Sequence, residues 1–187
     1  YFKKIYNFIK KNQDVLFICM YRDIFQWIKS TLKSNYDIKG LPTNTPGNKI
    51  ISISSKNYFL QLKLDKPCSI HGYYFKDLIH LHKFYLFNYL KLITRFKNVI
   101  CISYSKLLLT DRFNYLSKKL NKFNITLNKI NLEKIIEKPS KGHGGSVKNI
   151  KQAIEKSKNI NNKFSENDLK YIKKRINHKL IHFFRNQ

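Results

Sequence analysis

A chain of 187 residues and 22.4 kDa is long enough for one domain with its own hydrophobic core and short for two. Apolar residues make up 42% and aromatics 14%, which sets the chain apart from disordered sequences, and no apolar run approaches the roughly 18–20 residues that cross a bilayer. Against 11 Asp and Glu stand 37 Lys and Arg, a net charge of +26 that attracts polyanions (RNA, DNA, anionic lipid, a phosphorylated ligand) without choosing among them. An AT-rich coding bias produces the same excess of Lys, Asn, Ile, Tyr and Phe with no selection for binding.

Residues 2–11 put Phe2, Ile5 and Ile9 on one helical face among lysines, and Asn12-Gln13-Asp14 break the pattern before the apolar run Val15-Leu16-Phe17-Ile18-Cys19-Met20. The spacing predicts helix, turn and buried strand. The basic start lacks the apolar stretch and small-residue cleavage site of a signal peptide. Beyond Tyr21-Arg22-Asp23, residues Ile24, Trp27, Ile28, Thr31 and Leu32 recur at helical spacing, with Asp23 placed as the cap. In an open α/β sheet the crevice at the carboxyl end of such a strand is where ligands bind, and a helix N-terminus there favours anions.

Residues 35–49 hold Gly40, Pro42, Pro46 and Gly47 among polar neighbours and predict a surface loop, while 50–64 alternate weakly and fit one or two short strands. A long amphipathic helix is expected from about Phe75 to Phe96, with Leu78, Ile79, His82, Tyr85, Leu86, Tyr89, Leu90 and Ile93 in its stripe. Asn98 then turns the chain into a second strand, Val99-Ile100-Cys101-Ile102, running to Ser103-Tyr104. Strand, helix and strand in this order imply a parallel sheet with a crossover. Thr110 or Asp111 caps a helix carrying Phe113, Leu116, Leu120 and Phe123. The polar segment 129–163 is loop-like around Pro139 to Gly145, and Ser165-Glu166-Asn167-Asp168 has capping-box spacing ahead of one terminal helix through Leu169, Ile172, Ile176, Leu180 and Phe183. Cys19 and Cys101 lie inside strand-like runs and Cys68 stands apart, which favours buried free thiols over a disulfide framework or a zinc site.

Three stretches suit an anion. Arg22 at the strand end and Ser30 eight residues on offer a guanidinium fork and a hydroxyl to phosphate oxygens. In Lys141-Gly142-His143-Gly144-Gly145 the glycines permit close backbone approach, and successive N–H groups can form a nest beside the lysine. Tyr104 either faces the same crevice or fills the core. Plain alternatives stand beside the others: a surface ion pair for Arg22, a solvated helix residue for Ser30, a surface turn for the glycines. His178 and His182 share a helical face but have no third ligand at a helpful spacing, so no metal site is expected. The chain contains no Gly-x-Ser-x-Gly, His-Glu-x-x-His or Walker-type motif.

Taken in order, several pieces resemble the C-terminal two-thirds of the PAPS-dependent sulfotransferase family. They are the strand ending in Tyr21-Arg22-Asp23 with Trp27 and Ser30 beyond it, the long helix, Asn98 to Leu107, Lys141 to Gly145, and Phe164-Ser165-Glu166. In that family an Arg-(Asn/Asp)-Pro segment with a Ser eight residues past the Arg holds the donor's 3′-phosphate, and Arg22 and Ser30 match in position and spacing. The family's Tyr-Glu-Asp-Leu element is similar to Tyr104-Ser105-Lys106-Leu107, and its Arg-Lys-Gly-x-x-Gly loop to Ser140 through Gly145. Ile24 stands for the Pro, Ser105-Lys106 for the acidic pair and Ser140 for the loop Arg.

The resemblance implies a three-layer α/β fold with a central parallel sheet, akin to the P-loop kinases and truncated at its N-terminus. It implies one domain over 1–187 with loop-rich segments at 35–49 and 129–163. The cofactor is then PAPS, or its product PAP, with no metal, held by Arg22, Ser30, Tyr104, Lys141, Gly142 and Gly145. The activity is sulfuryl transfer to a hydroxyl or amine of an acceptor, a glycan or small molecule, in the cytoplasm or Golgi lumen. The family's 5′-phosphosulfate loop and catalytic His or Glu precede the Arg segment, and the 21 residues before Arg22 form no such loop, so the expectation is a fragment whose base lies upstream of Tyr1. Two other readings stay open: a basic, ribosome-associated RNA-binding protein whose lysines contact phosphates while Tyr and Phe stack on bases, and an inactive sulfotransferase-like module.

Overall fold

The computed structural model describes residues 2–33, 75, 77–109, 111–131 and 164–187. The predicted loop at 35–49, the strands at 50–64, Cys68, Thr110 and the Lys141, Gly142 and Gly145 segment lie outside those residues.

Helix α1 (Phe2–Lys11) buries Ile9 and ends on two basic residues, Lys10 and Lys11, which suit the negative end of its dipole. The side-chain amides of Asn12 and Gln13 donate to the Phe8 and Ile9 carbonyls at 2.7 and 2.9 Å, satisfying acceptors that the helix end leaves open. Strand β1 (Phe17–Tyr21) pairs in parallel with β2 (Val99–Ser103), from Phe17 opposite Val99 to Tyr21 opposite Ser103. Between them lie α2 (Ile24–Lys33) and α3 (Leu78–Arg95), so the strand, helix and strand order gives the parallel pairing it predicts. After β2 come α4 (Tyr104–Leu109), α5 (Arg112–Leu120), a 3₁₀ turn at Asn121–Phe123, α6 (Glu166–Arg175) and α7 (His178–Arg185).

Side chains alternate across the two strands; one face of both is covered by the larger core, and on the other face β2 is covered by the smaller one. Cys19, Tyr21, Val99 and Cys101 enter the larger core with Ile9, Ile24, Ile28, Leu78, Ile172 and Phe184, while Ile100 and Ile102 pack with Leu120 in a smaller one. β2 is buried throughout, but on β1 the side chains of Ile18 and Met20 stay 51% and 45% exposed.

Capping follows the local chemistry. Asp77 accepts from the His80 amide at 2.8 Å, and its second oxygen accepts from the Tyr171 hydroxyl at 2.8 Å, which ties α3 to α6. The Arg175 guanidinium lies 3.6 Å over the Tyr171 ring, and burial together with Asp77 pushes that phenol up to about 12. Asp111 caps α5, and Ser165 and Asp168 form the expected capping box on α6. The Asn98 side-chain amide donates to the Asn12 and Val15 carbonyls at 3.0 and 2.8 Å, pinning the α1–β1 turn to the entry of β2.

Three expectations are corrected. The terminal helix is two helices: Ile176 is extended, and the Asn177 side chain accepts from the Leu180 amide at 3.0 Å, a local bond that competes with helix continuation. The break lets Ile172 on one helix and Leu180, Ile181 and Phe184 on the next all reach the core. Tyr104 opens α4 and does not end the second strand. Leu81 and Leu92 are buried outside the predicted stripe, because α3 packs against neighbours on more than one side. Among the described residues no helix is long and apolar enough to cross a membrane.

Candidate functional site

Tyr21 and Ser103 are register partners at the carboxyl ends of the parallel strands, so the residues that follow them, Arg22 and Tyr104, meet side by side. The Arg22 guanidinium carbon lies 4.2 Å from the centre of the Tyr104 ring, a cation–π contact that orients the planar group. The Nε of Arg22 is buried with no hydrogen-bond partner among the described residues. Such donors are rare in folded proteins, since a buried N–H left unpaired costs free energy.

The main chain of Arg22 is fixed separately. His82 Nε2 lies 3.0 Å from the Arg22 carbonyl oxygen, and because a carbonyl only accepts, that nitrogen carries the hydrogen and donates. The imidazole also meets the Trp27 ring at 5.2 Å. Burial lowers its pKa to about 4, against smaller upward pulls from the Arg22 carbonyl and Asp23, so the ring is neutral at neutral pH.

Asp23 completes the turn. One carboxylate oxygen accepts from the Phe25 amide at 3.1 Å, and the other accepts from Arg185 at 2.5 Å. The carboxylate thus occupies the start of α2, and Arg22, more than the helix end, is the group left to attract an anion. Beneath the turn, Tyr21 stacks on Phe184 with centroids 5.5 Å apart. The Tyr21 hydroxyl is buried, Arg185 approaches it without reaching hydrogen-bond geometry, and burial pushes the phenol up to about 12. On the β2 side, the Ser103 amide donates to the Tyr115 hydroxyl at 2.7 Å, and Ser105 Oγ donates to Gln26 at 3.4 Å, which joins α4 to α2 at the rim.

Of the residues singled out from sequence, Arg22 and Tyr104 come together, and Ser30 lies on α2 two turns past Arg22. Lys141, Gly142 and Gly145 lie outside the described residues. His178 and His182 are exposed, and among the described residues no three His, Cys, Asp or Glu side chains cluster as metal ligands. Cys19 and Cys101 are register partners, buried and free, and burial pushes their thiols up to about 11 and 12, which keeps them protonated and inert.

Sequence reasoning placed His82 in an apolar stripe but missed its role. The available signal was a histidine at a core position, where a polar ring needs a partner. Gln26 gave no such signal. The assembled crevice offers an aromatic-backed guanidinium with an unpaired N–H at the carboxyl edge of a parallel sheet, which is chemistry for holding an oxyanion. Comparison of the chain with protein-family models, with curated proteins and with solved structures finds no match.

Proposed function

We propose that the crevice at the carboxyl ends of β1 and β2 binds the 3′-phosphate of PAPS, and that the chain carries the donor clamp of a sulfotransferase-like enzyme with a three-layer, P-loop-kinase-like fold. The observation that carries the reading is the buried Nε–H of Arg22 beside Tyr104, unpartnered among the described residues. Nε and one terminal nitrogen form one edge of the guanidinium fork, and a phosphate dianion presents two oxygens to such an edge. The residues present therefore fit the 3′-phosphate end of the donor. In this reading Ser30, Lys141 and the backbone at Gly142 and Gly145 complete the clamp around it. Bound PAPS supplies the sulfuryl group, while Arg22 holds the nucleotide in register and His82 holds Arg22. Transfer to a hydroxyl or amine needs a base and fixed cations around the departing nucleotide, and the clamp supplies cations. The excess positive charge then also draws anionic acceptors, glycans among them, toward the surface.

Titration of the chain with PAP tests the reading. The expected result is saturable binding that Arg22→Ala weakens roughly tenfold to a hundredfold, corresponding to the roughly 1.5–3 kcal/mol of a hydrogen bond to a charged group. Unchanged PAP affinity in Arg22→Ala overturns it. Salt-sensitive, sequence-indifferent RNA affinity with no PAP binding replaces it with the basic RNA-binding reading.

A further inference from the structure

We propose that the cleft between α1 and the C-terminal half of α3 binds a soluble phosphate monoester of nucleotide size, at a site separate from the Arg22 crevice and resting on observations of its own. Helix α1 meets α3 and its cap residue Phe96 through ring contacts and through Arg95 over the Tyr6 ring. Phe2 meets the rings of Phe84 and Tyr85 at 5.4 and 6.0 Å, and Tyr6 meets Phe96 at 4.9 Å. Beside these contacts lies a cleft of about 730 Å³ lined by residues of both helices, within the range of small-molecule sites.

Three cations line the cleft: Lys3 from α1, and Lys91 and Arg95 from α3. Neither helix contains an acidic residue, and among the described residues the ion pairs are Arg175 with Asp77 and Arg185 with Asp23, so none of the three is neutralised by one. Lys91 and Arg95 are one turn apart, where like charges repel. The negative end of α3 eases this for Arg95 but does nothing to link it to Lys3 across the cleft. A dianion seated among them turns that repulsion into attraction. A phosphate monoester carries close to two charges at neutral pH where a carboxylate carries one. The Arg95 guanidinium already stands 5.3 Å over the Tyr6 ring, which directs its fork.

The polar groups at the same rim point to the rest of the ligand. Asn88 donates one of its two amide hydrogens to the Phe84 carbonyl at 2.8 Å, and Thr94 spends its hydroxyl hydrogen on the Leu90 carbonyl at 2.8 Å. Each keeps an oxygen that can accept. Two acceptors next to three cations suit a hydroxylated ring joined to a phosphate, as in a sugar phosphate or nucleotide, and Phe2, Tyr6 and Leu92 give that ring an apolar floor.

Calorimetric titration of the full chain carrying Arg22→Ala, with AMP as the probe and adenosine and inorganic phosphate as its two halves, tests the proposal. Expected are saturable AMP binding, weaker phosphate binding and no adenosine binding. Lys91→Ala with Arg95→Ala should lower AMP affinity tenfold or more, and Arg95→Lys should retain part of it. Should the alanine pair fail to fold, Lys91→Gln with Arg95→Gln serves the same purpose on an exposed face. AMP binding that survives either pair overturns the proposal, as does AMP binding that Arg22→Ala alone abolishes. Capture of RNA or of phosphatidic acid vesicles with no response to AMP overturns it as well. Loss of PAP binding at the crevice with AMP binding intact, or the reverse, separates the fate of this site from that of the sulfuryl-transfer reading.

Discussion

Arg22 and Arg95 are both arginines set over a tyrosine ring, at 4.2 Å on Tyr104 and 5.3 Å on Tyr6, but they belong to different kinds of surface. Arg22 is held at the end of a strand, with its carbonyl bonded to a buried histidine, its Nε buried and a stacked Tyr21–Phe184 pair beneath. Arg95 ends a helix in solvent, among lysines that share its charge and, among the described residues, with no carboxylate paired to it. The first cation is positioned by the core and its geometry is part of the fold, whereas the second is positioned mainly by its own helix. Binding at the crevice should therefore depend on packing, and binding at the cleft on ionic strength.

Phe184→Ala gives the largest expected effect. A fully buried ring that stacks on Tyr21 is removed, and a loss of about 3–5 kcal/mol, read as a fall in urea midpoint, should take the Arg22 crevice with it. The matched change on the other surface, Lys91→Ala, should move stability by less than about 0.5 kcal/mol. A similar loss from both would show that the two sites are not built differently.

Next comes the pH dependence of the crevice. His82 titrates at 6.5 when exposed and at about 4 when buried, so between those values the unfolded chain takes up a proton that the folded chain refuses. Its contribution is complete above pH 6.5 and is lost as pH falls toward 4, a total of about 3 kcal/mol. His82→Gln keeps an N–H for the Arg22 carbonyl without titrating. Denaturant midpoints at pH 7 and pH 5 should differ more in the wild type than in this variant, and equal differences would assign the slope to other groups.

The smallest effect separates the two tasks of Asp23. Asp23→Asn keeps a capping oxygen but drops the pair with Arg185, whose side chain is 56% exposed, and should cost no more than about 1 kcal/mol. It also removes a negative charge beside Arg22, so PAP affinity should rise modestly. A fall in affinity would mean that the carboxylate positions Arg22, which would sharpen the contrast with the cleft further.

Much of the fold was legible in the chain because its signals are local. The apolar runs at 15–20 and 99–102 marked both strands, Asp23 and the Ser165-x-x-Asp168 box marked two helix starts, and the strand-helix-strand order implied parallel pairing. The break at Ile176-Asn177 was not legible, because the hydrophobic period runs through it undisturbed and Asn177 competes as a cap only once both flanking helices have a core to enter. At the site, Arg22 was found from its position after a strand, but His82 lies 60 residues away and its bond to the Arg22 carbonyl belongs to no sequence pattern. The α1–α3 cleft was invisible for a similar reason: Lys3, Lys91 and Arg95 are ordinary surface cations until two helices bring them together.

What the sequence determined by itself was the α/β class, the strong positive charge and the helix and strand segments, each set by periodicity, capping and composition within a few residues. Only the tertiary structure decided which cations are neutralised and which are not. Asp23 and Asp77 meet Arg185 and Arg175 through contacts 162 and about 100 residues apart in the chain, while Arg22, Lys91 and Arg95 have no carboxylate partner among the described residues. Pairing at that separation depends on how whole elements pack, and local sequence carries no record of it.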